Sequence, residues 1–135
     1  MTGARSKHHR EFFAVPLDGA ALEDVRWQPV VGHEEWISEM ILGDNLDERT
    51  GTGSRTRLAR WRPRTLLPEP VRHEYREEIL LLSGDLVVGC DAEGNGGEQF
   101  AALTFATRPA GIWHGPFTTT TGCLMLELDI YESHE

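Results

Sequence analysis

The sequence predicts an all-β protein built as one domain, and three observations support that expectation. Fourteen glycines and seven prolines are spread along the 135 residues instead of clustering, which cuts the chain into short segments and suits strands better than long helices. Residues 124–131 alternate strictly: Leu124, Leu126, Leu128 and Ile130 point one way, and Met125, Glu127, Asp129 and Tyr131 the other. That is the period of a strand with two distinct faces. Turn formers separate apolar runs, as in Asp91-Ala92-Glu93-Gly94-Asn95-Gly96-Gly97, a glycine-rich hairpin loop. A chain of this length buries about 65–70% of its unfolded surface around one core. No repeat, low-complexity stretch or linker divides it, so residues 11–135 are expected to form a single domain.

Taken in order, residues 1–10 (MTGARSKHHR) are polar and basic, without hydrophobic period, and are expected to form a flexible tail. Phe12-Phe13-Ala14-Val15 and Ala20-Ala21-Leu22, separated by Pro16 and Asp18-Gly19, predict an edge strand and a turn or one helical turn. Trp36-Ile37-Ser38-Glu39-Met40-Ile41-Leu42 predicts a strand closed by the turn formers Gly43-Asp44-Asn45. Residues 54–61 alternate Thr56, Leu58 and Arg60 against Arg57, Ala59 and Trp61. An arginine there could reach an anionic ligand, but solvation on an outer face is the expectation for each. Ile79-Leu80-Leu81-Leu82 is ambiguous on pattern: the Glu, Arg and Leu around it favour helix, with Ser83-Gly84 as a C-terminal stop. A strand, a turn at Ser83-Gly84-Asp85 and a second strand at Leu86-Val87-Val88 fit the following loop with less strain. Residues 100–105 continue the hairpin, and Pro109-Ala110-Gly111 and Gly115-Pro116 turn the chain.

The formal charge of −9, with only basic charge in the first ten residues, repels phosphate backbones, so no nucleic-acid partner is expected. No segment approaches the roughly 18 apolar residues of a membrane span, and the N-terminus lacks a signal peptide's apolar run. No membrane partner and a cytoplasmic location are expected. Cys90 and Cys123 are too few for a disulfide framework and too far apart in sequence for a thiolate site. Each is expected to be a small buried hydrophobe within a strand.

Among the six histidines, His8, His9 and His134 lie near the ends, and His33 has carboxylates beside it but no second histidine, so it is expected at the surface. His73 and His114 each lie next to a turn and a predicted strand, where a scaffold can aim a ligand inward. Four residues of straight strand from His73 to Glu77 would span about 13 Å, too far for one ion. The chain must therefore bend, with Tyr75 and Arg76 as candidates, or else be helical, where the same spacing needs no bend. Glu78 and Trp113 are each displaced by one residue and should face away from Glu77 and His114. Glu127 and Tyr131 share a face that could line a pocket, but it is expected to face water.

Two stretches resemble the motifs of the cupin superfamily, of RmlC-like type. Pro70-Val71-Arg72-His73-Glu74-Tyr75-Arg76-Glu77, continuing to Gly84, resembles the first motif: His-x-His, three or four residues, Glu, six residues, Gly. Arg108-Pro109-Ala110-Gly111-Ile112-Trp113-His114 resembles the second, Pro-x-Gly-x-x-His. The continuation Gly115-Pro116-Phe117, with Gly122-Cys123 soon after, is similar to the branch holding the cupin-like domain of ChrR-type anti-sigma factors and small cupins related to dihydroxyacetophenone dioxygenase.

This resemblance implies a double-stranded β-helix, the jelly-roll barrel, and favours strand at residues 79–82. It also implies one divalent metal ion held by His73, Glu77 and His114, ligands from two neighbouring hairpins. The family's first histidine falls on Val71, which cannot bind a metal. Two imidazoles and one carboxylate with open positions match non-haem Fe(II) oxygenases, although Zn, Mn or Ni would accept them. A metal-dependent enzyme on a small organic substrate, with dioxygenase-type oxidative cleavage, is the first expectation. A ligand- or metal-sensing module is the second, weakened because no cysteine precedes Cys90, and a metal-free barrel is the third. Cupins commonly dimerise, so a homodimer is expected; no general base can be named.

Overall fold

The computed structural model describes residues 9–19 and 24–132. Nine strands make one curled antiparallel sheet: β1 (Gln28–Pro29), β2 (Ile37–Asp44), β3 (Ser54–Trp61), β4 (Leu66–Leu67), β5 (Arg76–Val88), β6 (Glu98–Ala101), β7 (Phe105–Arg108), β8 (Phe117–Thr118) and β9 (Cys123–Ile130). Their order is β1-β2-β3-β9-β5-β8-β4, with β6 and β7 also pairing to β5. Among the described residues no helix is long and apolar enough to cross a membrane.

The long strand β5 closes the barrel. Its first half pairs with β9 and β7, its second with β6 and β8. The turn expected at Ser83-Gly84-Asp85 is instead a bulge, where the β5–β9 register shifts between Leu81 and Ser83. Gly84 makes this possible: it has a φ of 81°, and a Cβ there would lie 1.9 Å from the Gly122 carbonyl oxygen. One residue on, the Asp85 carboxylate accepts from the backbone N–H groups of Thr120 and Thr121, the Thr121 hydroxyl and the Gln99 amide. These bonds tie the loop before β9 to the bend and hold the Asp85 carboxyl well below its ordinary range, against the opposing effect of burial. Gly84→Ala is expected to cost at least about 2 kcal/mol, since strained backbone and a backbone clash coincide; a urea midpoint equal to wild type would contradict this.

Two apolar layers flank the sheet. Inside the barrel, Ile37, Trp61, Ile79, Leu81, Phe117 and Met125 form the core. Outside, Val25, Met40 and Leu58 pack with Phe13, Val15, Trp27, Leu124 and Leu126. The edge strand expected at Phe12-Phe13-Ala14-Val15 is absent. β1 already occupies the edge of β2, so this segment lays Phe13 and Val15 on the outer layer. Leu17 and Asp18 turn as expected; Ala20, Ala21 and Leu22 lie outside the described residues. β2 runs through Gly43 and Asp44 by a register shift after Ile41, and the chain turns at residues 48–51 instead. There Asp47 accepts from the N–H groups of Arg49 and Thr50. A turn at Ala102 and Leu103 interrupts residues 100–105, with Leu103 at φ 69°. Cys90 and Cys123 are free and buried, but Cys90 lies in the loop after β5.

β9 overturns the expectation of a wet charged face. Met125, Glu127 and Asp129 are 2%, 5% and 0% exposed and point into the barrel, whereas the leucines form the outer layer. The reason lies in the neighbouring strand: β3 sets Arg57 opposite Glu127 and Arg55 opposite Asp129. Each buried carboxylate thus meets a guanidinium, the condition under which charge can be buried at all.

Candidate functional site

The two motif segments lie side by side. Val71 and His114 form an antiparallel bridge, exchanging N–H···O bonds of 2.8 and 2.9 Å, and the Gly111 N–H donates to the His73 carbonyl at 2.8 Å. The chain bends at Glu74 and Tyr75 before β5 opens at Arg76, one residue earlier than the spacing suggested. This bend brings His73 Nε2 to 3.8 Å from Glu77 Oε2, while His114 Nε2 lies 3.4 Å from Glu77 Oε1. Ligand-capable atoms of all three lie within 4.8 Å of one another.

Each side chain is held by a neighbour. His73 stacks on Tyr75 with ring centroids 4.7 Å apart. The Arg108 guanidinium donates to Glu77 Oε1 at 3.0 Å. His114 Nδ1 lies 3.2 Å from the Ile112 carbonyl oxygen; a carbonyl only accepts, so Nδ1 carries the proton and the neutral ring presents a bare Nε2 to Glu77. Burial lowers the His73 imidazole, and burial with the Arg108 cation pushes His114 down to about 4. Burial, with Asp129 nearby, raises the Glu77 carboxyl against the pull of Arg108 and Arg57.

Around this trio lies an ionic network that single-residue reading missed. Arg57, expected in water, is half-buried and bonds Glu39 Oε1 at 2.6 Å and Glu127 Oε1 at 3.4 Å. Arg55 donates through Nε and Nη2 to Asp129 Oδ2, at 3.0 and 2.7 Å. Arg57 Nε and Asp129 Oδ1 have no hydrogen-bond partner among the described residues. Glu77, Glu127 and Asp129 form a second group of ligand-capable atoms within 4.8 Å. The signal was present in the sequence: Arg55-x-Arg57 and Glu127-x-Asp129 each put two like charges on one face of a strand. Arg60, by contrast, lies on the outer face over Trp27, 4.0 Å from its ring centroid.

The trio opens on a cavity of about 180 Å³ whose walls include Ile37, Trp61, Leu67, Val71 and Phe117, with Arg57 and Glu127 also lining it. His33 is exposed, as expected, yet stands on the cavity rim. Glu78 turns away and accepts from the Thr107 hydroxyl at 3.1 Å. Trp113 is 63% exposed beneath the Arg72 guanidinium. Tyr131, half-buried, meets Tyr75 edge to face and does not line the cavity. His9 is exposed beside Glu11; His8 and His134 lie outside the described residues.

The buried groups give metal-free protein a testable pH response. Burial pushes the Glu127 carboxyl up to about 7, against Arg57, from an ordinary value of 4.5. The folded chain then binds a proton that the unfolded chain has released, so this contribution is full below about 4.5 and is lost as pH rises to about 7. His114 works in the opposite sense. Its neutral folded form contributes fully above 6.5 and loses that contribution as pH falls to about 4. Glu127→Gln is therefore expected to leave a stability that rises with pH between 4.5 and 6.5, and His114→Gln one that falls. Urea midpoints at three pH values check this, and slopes of the same sign in both variants would contradict it.

No family model matches the chain, and no curated protein matches it in sequence. Solved structures do match. An RmlC-like cupin from Shewanella frigidimarina is 13% identical with a TM-score of 0.64, over 95% of this chain and 96% of that one. An acetylacetone dioxygenase from Acinetobacter johnsonii is 17% identical with a TM-score of 0.59, over 96% and 80%. The Rhodobacter sphaeroides complex of SigE with the anti-sigma ChrR is 21% identical with a TM-score of 0.54, over 82% and 52%. Together with the nine-stranded barrel, these likenesses establish that the chain has the cupin fold, an all-β jelly roll.

Proposed function

We propose that the chain is a metal-dependent cupin acting on a small organic molecule, with His73, Glu77 and His114 holding one divalent ion. The observation that supports this most is a pair of facing acceptors. The bare Nε2 of His114 lies 3.4 Å from Glu77 Oε1, and two lone pairs opposed at that distance repel unless a metal ion or a proton lies between them. With the His73 Nε2 also turned to Glu77, a metal ion satisfies all three donors at once. Two imidazole nitrogens and one carboxylate oxygen with open positions suit Fe(II), the favoured ion, and accept Zn, Mn or Ni. Bound there, Fe(II) supplies an electron source for dioxygen beside a substrate position, the chemistry of oxidative cleavage.

The chain's own residues prepare the site for that role. Arg108 engages Glu77 Oε1 and leaves Oε2 toward His73. Tyr75 fixes the plane of His73, and the Ile112 carbonyl fixes that of His114. Val71 stands where a further imidazole would be and offers apolar surface to the ligand instead. The apolar walls exclude water and orient a carbon skeleton. A likeness to an acetylacetone dioxygenase supports the oxidative reading. The likeness to an anti-sigma complex supports a second one, a binding module without turnover.

Elemental analysis of protein purified without added metal tests the proposal, followed by oxygen uptake with β-diketones and hydroxyketones. One iron per chain and uptake with a member of the panel are expected. Absence of any first-row metal, even after reconstitution, would overturn the metal reading; stoichiometric metal without uptake would favour the binding module.

A further inference from the structure

We infer that the barrel binds an elongated ligand whose apolar alkyl or aryl tail occupies a second cavity next to the first. A cleft of about 200 Å³ adjoins the cavity of His73, Glu77 and His114, and Ile79 and Leu86 line both. The strand register places the cleft beside the candidate ligands. On the β5–β7 ladder Glu77 pairs with Arg108 and Ile79 with Ala106. Residues two apart on a strand share a face and lie about 7 Å apart. The floor of the cleft therefore begins one residue pair from the Glu77 carboxylate, on the same interior face. Across it, Leu86 pairs with Phe100 on β6.

The chemistry of the lining selects the tail. Leu81, Val88, Phe100, Phe105 and Ala106 supply apolar surface, and only Thr104 and Arg108 bring polar side-chain atoms. Arg108 stands at the junction, lining the cleft while its Nη1 holds Glu77. A charged tail would lose its hydration in the cleft and meet only Arg108, whose guanidinium already holds Glu77, whereas methylene or ring carbons gain by burial. Ala106, a small residue paired with Ile79 on the ladder, lines this space. The outer end stays open beside Phe105, which is 57% exposed. Identifying the trio as the reacting end rests on the metal reading above; the tail cavity does not depend on it.

The experiment titrates metal-free, full-length protein with 1-butanol, 1-hexanol and 1-octanol by calorimetry, in wild type, Ala106→Trp and the milder Ala106→Met. Metal content of the reconstituted proteins is measured in parallel. Wild type is expected to gain about fourfold in affinity per added methylene. A106W should lose that gain beyond the shortest alcohol and keep its metal content, with A106M between the two. Equal chain-length profiles in wild type and both variants would overturn the inference, as would no alcohol binding at all. Should A106W fail to fold, the A106M comparison decides alone. A protein that binds no metal yet shows the chain-length gain and its loss would retain the tail cavity while removing the proposed function.

Discussion

Alanine at His114 is expected to reduce bound metal from one ion per chain to less than about a tenth, and at His73 to do the same. A mononuclear site with three protein ligands keeps little affinity when one is lost, since even a displaced supporting residue costs 10–100-fold. His114 is the stronger test. Its ring is anchored by the Ile112 carbonyl and its side chain is only 7% exposed, so the deletion leaves a hole beside Glu77. The converse variant is Val71→His. Val71 lines the cavity and bridges to His114, so a histidine there adds a fourth donor and is expected to tighten metal at least about tenfold, with one fewer open position for substrate. Competition against a chromophoric chelator measures both changes. Wild-type affinity in H114A, or unchanged affinity in V71H, would contradict the assignment.

Arg57→Met is expected to destabilise the metal-free fold by about 3–5 kcal/mol near pH 8, the usual cost of leaving a buried charge without its partner. Arg57 is the cation between Glu39 and Glu127, and Glu127 is 5% exposed. Its removal leaves Glu39 and Glu127 without this cation, and Glu127 lies in one group with the carboxylates of Glu77 and Asp129. Lower pH should recover part of the loss, because a protonated Glu127 no longer needs the guanidinium. The double variant R57M/E127M should recover more at every pH, because neither charge is then buried. Urea unfolding of the three proteins reads this directly; a loss below about 1 kcal/mol in R57M would mean that the network is solvated.

The parts of this molecule that were legible in the sequence are those set by local rules. The strict period of β9, the turn formers at residues 91–97 and the Pro109-Ala110-Gly111 turn fix strand type and approximate limits. The motif spacing named His73, Glu77 and His114, which converge, and Gly84, which serves the bulge. What stayed hidden depends on which strand lies beside which. No local pattern says that β3 sits against β9, and without that pairing the face of Met125, Glu127 and Asp129 reads as wet. The same pairing explains Arg57, which as a lone arginine reads as solvated and in the fold is half-buried as a counter-ion. Ser83-Gly84-Asp85 has the composition of a turn, yet Gly84 serves a bulge that lets one strand pass from one set of partners to another. Phe12-Phe13-Ala14-Val15 has strand composition, but β1 occupies the edge of β2 and Phe13 and Val15 pack on a sheet face instead.

The most direct test of the central claim is a crystal structure of iron-loaded protein with anomalous diffraction collected at the iron edge. One peak is expected, with His73 Nε2, His114 Nε2 and a Glu77 carboxylate oxygen each at about 2.0–2.2 Å. A peak held by Glu127 and Asp129 instead, or no peak at full iron loading, would contradict it.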